Sequence, residues 1–156
     1  MKVVAVAGHR DTGKTSLLEA ILQAIPDPKG VATIKSIHHD VKFDREDTDT
    51  FRHREAGADT VVGITPSMTA EIRTEGKEDG VTVSDRLAEL HSKDFDWTLV
   101  EGFKREPIPT ILVGDIEESA VEGRVLFRVA DGTAVNGSTV FERLGTVPDW
   151  TPDPTP

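Results

Sequence analysis

The chain has 156 residues, a length that fits one domain with a sizeable core and no need of a covalent staple. It has no cysteine, which excludes disulfides and thiolate-held metals, and 28 acidic against 18 basic residues leave a formal charge of −10. Such a surface repels nucleic acid and anionic membranes, and no run approaches the roughly 20 apolar residues of a membrane span, so a soluble cytoplasmic protein with neither partner is expected.

Val3-Val4-Ala5-Val6-Ala7 is a continuous apolar run bounded by glycine, the pattern of a strand buried on both faces of a parallel sheet. It is too short for the apolar region of a secretion signal. The next eight residues, Gly8-His9-Arg10-Asp11-Thr12-Gly13-Lys14-Thr15, match the phosphate-loop pattern G-x-x-x-x-G-K-[ST] at every fixed position. The chemistry asks for these types. Gly8 and Gly13 let backbone N–H groups turn inward around phosphate oxygens. Lys14 is expected to reach the β and γ phosphates, and the Thr15 hydroxyl to coordinate Mg²⁺. Arg10, Asp11 and Thr12, between the glycines, and Ser16, just beyond, are also candidate nucleotide-binding residues. From Ser16 to Leu22 apolar residues recur at helical spacing, so a helix points its positive end at the anion; Pro26 and Pro28 stop it.

Val31 to Ile37 reads as a second strand, followed by a polar, charged stretch from His38 to Arg54. Asp40 or Asp44 is expected to join the water shell of Mg²⁺. Residues 49–58 have helical composition and end at Gly57 or Ala58. There Arg52 and Arg54 either meet phosphate or a second anionic substrate, or form a helix face balanced by Glu46, Asp47, Asp49 and Glu55. Thr60 to Ile64 and Ser67 to Arg73 predict a hairpin broken at Pro66, and Thr74 to Gly80 a charged loop. Ser84 is the expected N-cap of a helix running to about His91, with Leu87 and Leu90 inward.

Trp97-Thr98-Leu99-Val100 predicts a buried strand that ends at Glu101-Gly102. Ligands in open α/β sheets bind at that edge, so Glu101 is the candidate second carboxylate, holding Mg²⁺ through water or orienting an attacking water. The alternative is a plain strand-end acid. Thr110 to Val113 and Arg124 to Ala130 are further strands, and Ser138 is the expected cap of a last helix through Leu144. Asp131, after the last strand, either accepts from guanine N1 and N2 or is a turn aspartate. Residues 148–156 hold four prolines and two aspartates and predict a frayed or extended tail. Strands alternating with helices define an α/β class: a P-loop NTPase-like, three-layer domain over residues 1–147, its mostly parallel sheet flanked by helices.

Four pieces carry a family resemblance: the phosphate loop; Ile34-Lys35-x-x-His38-His39 followed by Asp44; Phe51-Arg52-His53-Arg54-Glu55-Ala56-Gly57-Ala58; and Val100-Glu101-Gly102-Phe103-Lys104. In order and spacing, from the first strand to Val113, the chain resembles the MobB family, GTP-binding accessory proteins of molybdopterin guanine dinucleotide biosynthesis. The resemblance implies a P-loop α/β fold, a homodimer, GTP bound with Mg²⁺, slow hydrolysis at most, and assistance to a MobA-type guanylyltransferase that joins GMP to molybdopterin. It gives Gly8, Gly13, Lys14 and Thr15 the phosphate and Mg²⁺ roles. Asp44 and Glu101 match acids near the metal, assigned here as metal-binding and catalytic. Lys35, His39, Arg52, Arg54 and Lys104 match positions near the nucleotide or the cofactor partner. Two departures stand out. Glu46-Asp47-Thr48-Asp49-Thr50 replaces a Pro-Gly-Lys-Asp-Ser type run, and Ser36 stands where the family often has histidine.

Three functions follow from the same residues. The first is a GTP-binding accessory factor with feeble hydrolysis. The second is a small-molecule kinase, with Asp44 as base and Arg52 and Arg54 on the transferred phosphoryl group. The third is a nucleotide-gated adaptor in which hydrolysis hardly matters.

Overall fold

Val3 to Val6 have no polar face to offer water, and the strand they form, β1 (Lys2–Gly8), is the middle strand of five. The computed structural model describes residues 1–152. The chain divides into two units, one made of residues 1–36 with the chain from Val83 onward, the other of residues 37–82.

In the first unit α1 (Lys14–Ala24) follows β1, then β2 (Val31–Lys35), α3 (Val83–Ser92), β5 (Trp97–Glu101), β6 (Thr110–Val113), β7 (Val125–Val129) and α4 (Gly137–Arg143). The sheet order is β2-β5-β1-β6-β7 and every neighbouring pair is parallel. The pleat sorts β1 by parity. Val4 and Val6 pack with Leu17, Leu18 and Ile21 of α1 and Val140 of α4. Val3 and Ala5 pack on the other face with Val83 and Leu87 of α3. Helices therefore cover both faces, the three-layer arrangement expected of a parallel sheet whose strands are apolar throughout.

Several boundaries differ from the sequence expectation. The second strand stops at Lys35, two residues early. α3 begins at Val83, so Ser84 lies inside the helix instead of capping it; Val83 is buried, and packing it draws the first turn back by two residues. α4 is capped by Asn136, whose side chain accepts from the Thr139 N–H at 3.0 Å, and Ser138 is likewise inside. Of the expected tail, Asp149 pairs with Lys2 in an antiparallel bridge and the Trp150 N–H donates to the Met1 carbonyl at 2.8 Å. Residues 153–156 lie outside the described residues.

The second unit holds α2 (Asp49–Glu55) and an antiparallel hairpin, β3 (Thr60–Ile64) with β4 (Thr69–Arg73). Thr48 caps α2, its hydroxyl accepting from the Phe51 N–H, and Gly57 at φ +105° follows its end. Val61 is the one buried apolar residue among the described residues of this unit, while Phe43, Val62, Ile64 and Met68 are exposed.

Candidate functional site

The site grows from the junction of β1 and α1. Gly13 closes the loop in the left-handed region, at φ +83°, as the N-cap of α1. The need for glycine comes from the protein's own packing. A Cβ at Gly13 would lie 2.7 Å from the Thr133 nitrogen, and one at Gly8 would lie 2.6 Å from the Val113 carbonyl oxygen. The loop is thus clamped between the end of β6 and the turn after β7. The Gly132 N–H donates to the Thr12 carbonyl at 3.1 Å, fastening that turn to the loop. Within the loop, the Thr12 hydroxyl and the Lys14 ammonium both donate to the His9 carbonyl. Arg10 and Asp11 are exposed and pair with each other at 3.6 Å.

The second carboxylate arrives by register. Glu101 pairs with Val6 on one side and Lys35 on the other. Alternation puts it on the face of Leu99, which packs in the α1 cluster, but two residues further along, where the sheet has passed the first turn of α1. Its Oε2 accepts from the Thr15 hydroxyl at 3.3 Å, and its Oε1 lies 3.0 Å from Lys35 Nζ. Glu101 is only 12% exposed, so both oxygens are held by the protein. Gly102 then turns at φ +92°, where a Cβ would come within 2.9 Å of the Ser36 Cβ; the close approach that the glycine permits is that of Ser36.

A cavity of about 530 Å³ opens over this junction, within the ~300–1,000 Å³ range of small-ligand sites. Lys14, Thr15, Lys35 and Glu101 line it together with Arg10, Asp11 and Gly13 of the loop. Thr133 lines it too, a residue the sequence reading missed. The turn signal Ala130-Asp131-Gly132 marked its location, but only the sheet order brings that turn to the phosphate loop.

The remaining candidates are placed as follows. Ser16 lies in the first turn of α1 and Lys104 in the loop after β5, where its carbonyl accepts from the Glu122 N–H; neither lines the cavity. Asp131 accepts at Oδ1 from the Thr133 N–H at 2.8 Å and the Thr133 hydroxyl at 2.7 Å. Those two bonds, the backbone one first, hold its carboxyl below the ordinary value. Asp44, Arg52 and Arg54 belong to the second unit. There Asp44 Oδ1 accepts from the Thr48 hydroxyl at 3.1 Å, and its Oδ2 is buried without a hydrogen-bond partner. Arg52 faces Asp49 at 3.7 Å, and the Arg54 guanidinium sits 5.3 Å over the Phe51 ring.

The fold is a P-loop NTPase-like one: a parallel sheet flanked by helices, with a glycine-lysine-threonine loop joining its central strand to a helix. Solved structures with this fold include Bacillus subtilis MobB, with a TM-score of 0.64 at 22% identity over 94% of this chain and 99% of that one. Another, titled molybdopterin-guanine biosynthesis protein B, has a TM-score of 0.60 at 26% identity over 81% and 79%. The model of the MobB family, described as molybdopterin guanine dinucleotide synthesis protein B, matches residues 3–126, and the chain belongs to that family.

Among sequence relatives, a Methanocaldococcus jannaschii protein provisionally named a molybdopterin-guanine dinucleotide biosynthesis adapter is 36% identical over 117 residues, 72% of this chain and 47% of that one. The Haemophilus influenzae adapter protein is 34% identical over 113 residues, 71% and 62%. That of Escherichia coli is 28% identical over 141 residues, 86% and 80%. The chain therefore spans about half to three fifths of the length of the first two. Among the described residues no helix is long and apolar enough to cross a membrane.

Proposed function

We propose that this chain binds GTP with Mg²⁺ in the cavity over Lys14 and Thr15 and serves as a nucleotide-binding adapter in molybdopterin guanine dinucleotide synthesis. The observation that carries the nucleotide reading is the 3.3 Å approach of Glu101 to Thr15, at the mouth of a complete phosphate-loop motif. A hydroxyl and a carboxylate oxygen so close form the hard donor pair that suits Mg²⁺. Bound there, Mg²⁺ would neutralise phosphate charge between the β and γ groups. Lys14 adds a compact cation inside the loop, and the first turn of α1 directs its positive end at the phosphates. The preference for GTP and the place in the pathway rest on family membership and on relatives named as adapters.

The adapter reading rests on the names of the relatives. In it hydrolysis is slow, and the bound state, not its turnover, is what a MobA-type guanylyltransferase with its molybdopterin would respond to. The active form is a homodimer, supported by the exposed apolar face of the second unit.

Calorimetric titration of GTP and ATP, each with and without Mg²⁺, tests the proposal. GTP is expected to bind more tightly than ATP, and more tightly with the metal than without it. Lys14→Ala should abolish binding, and an unchanged GTP affinity in that variant would overturn the site. Adding the GTP-loaded protein to a MobA-type enzyme should raise guanylylation of molybdopterin; no effect there would remove the pathway assignment and leave nucleotide binding standing.

A further inference from the structure

We propose that Lys35 is the residue by which the site tells a nucleoside triphosphate from the diphosphate, an inference that rests on the nucleotide reading above. Its ammonium is held 3.0 Å from Glu101 Oε1 because the two residues end adjacent parallel strands in direct register. The two partners differ in burial: the Glu101 side chain is 12% exposed and the Lys35 side chain 55%. The carboxylate is fixed, therefore, and the ammonium stands on a flexible stem at the cavity wall.

The cavity's two lysines are not equivalent. Lys14 lies within the loop, its ammonium on the His9 carbonyl, where it would reach the β phosphate that di- and triphosphates share as well as the γ phosphate. Lys35 comes from β2, two strands from β1, beyond Glu101 as seen from Thr15. A third phosphate that extended past Lys14 and Thr15 along the cavity wall would come to Lys35, which lines the same cavity.

Partner exchange is cheap in one direction and favourable in the other. The ammonium half of the pair is exposed, so water can solvate it as it leaves Glu101. A cation placed between Thr15 and Glu101 would draw on the same carboxylate and weaken that hold further. A terminal phosphate is a charged acceptor, and the ammonium has three donors to give to it. In the absence of the third phosphate, Lys35 stays on Glu101 and contributes nothing to nucleotide affinity.

The test compares GTP and GDP by calorimetry in the wild-type protein and its Lys35→Ala and Lys35→Arg variants, in Mg²⁺ buffer. The ratio of triphosphate to diphosphate affinity should fall roughly tenfold in Lys35→Ala, and Lys35→Arg should restore most of it. A second variant reads the exchange itself. In Mg²⁺-free buffer Glu101→Gln should raise GTP affinity severalfold above wild type, because nothing then competes for the ammonium. An equal loss of both nucleotides in Lys35→Ala would make Lys35 merely structural and overturn the proposal, as would an unchanged or lower GTP affinity in Glu101→Gln. Wild-type protein that binds neither nucleotide would instead bring down the underlying reading of the site.

Discussion

Gly13, within the phosphate loop, and Asp131, outside it, each show how one residue fixes that loop. At Gly13, φ +83° and a Cβ position 2.7 Å from the Thr133 nitrogen leave no room for a side chain. Gly13→Ala should therefore destabilise the fold by about 1–3 kcal/mol, the usual scale of overpacking, read as a lowered midpoint in thermal denaturation. A variant as stable as wild type would show that the turn after β7 is not clamped on the loop. Asp131 holds that turn by accepting twice from Thr133, which lowers its carboxyl below the ordinary aspartate value of 3.8. The sign follows from linkage: a depressed folded value means stability that is present above 3.8 and fades as pH falls through the folded value. The turn should loosen only in acid, and Asp131→Asn should remove that acid dependence. An NMR titration of the Asp131 carboxyl should find a midpoint below 3.8, and a midpoint at or above it would refute the account.

Among the elements, the last helix separates a true cap from a plausible one. Asn136 accepts from the Thr139 N–H, whereas Ser138 lies past the first residue of α4. Asn136→Ala should lower stability by about 1 kcal/mol, a shift of roughly 2–4 °C for a domain of this size. Ser138→Ala should stay within about 0.5 kcal/mol of wild type, and comparable losses in the two variants would sink the assignment. The strands were legible because an apolar run between turn residues leaves little choice. Helix starts were not, because Ser84 and Ser138 are as good a cap type as their neighbours. The choice is made by tertiary contacts, burial of Val83 in one case and the close seat of Gly137 in the other, where a Cβ would lie 2.1 Å from the Ala20 carbonyl oxygen. The same division runs through the site. The loop is contiguous and Glu101 marks a strand end, so both could be read from the chain. The Lys35–Glu101 pair and the Thr133 turn depend on which strands become neighbours, β2 on β5 and β7 beyond β6, and the residues alone do not say so.

At the scale of the whole molecule two opposing terms decide whether copies associate. The net charge of −10 repels a second copy. Against this, the second unit exposes Ile64 at 80%, Met68 at 63% and Val62 at 52%, on or beside a two-stranded sheet. Two strands alone are marginal in water, and a two-fold partner would cover the same apolar side chains on both copies at once. The terms respond differently to salt. The Debye length shrinks from about 10 Å at 0.1 M to about 3 Å at 1 M, which silences the repulsion while leaving apolar burial intact. Dimerisation should therefore strengthen as salt is added, the reverse of an interface made by opposite charges. Sedimentation equilibrium at low and high salt should show the dimer fraction rising, and Ile64→Glu should give a monomer in both with its thermal midpoint little changed, since Ile64 is exposed within the protomer. A wild-type monomer at every concentration and salt level would remove the second copy as the occupant of this face, and a persistent Ile64→Glu dimer would move the interface elsewhere.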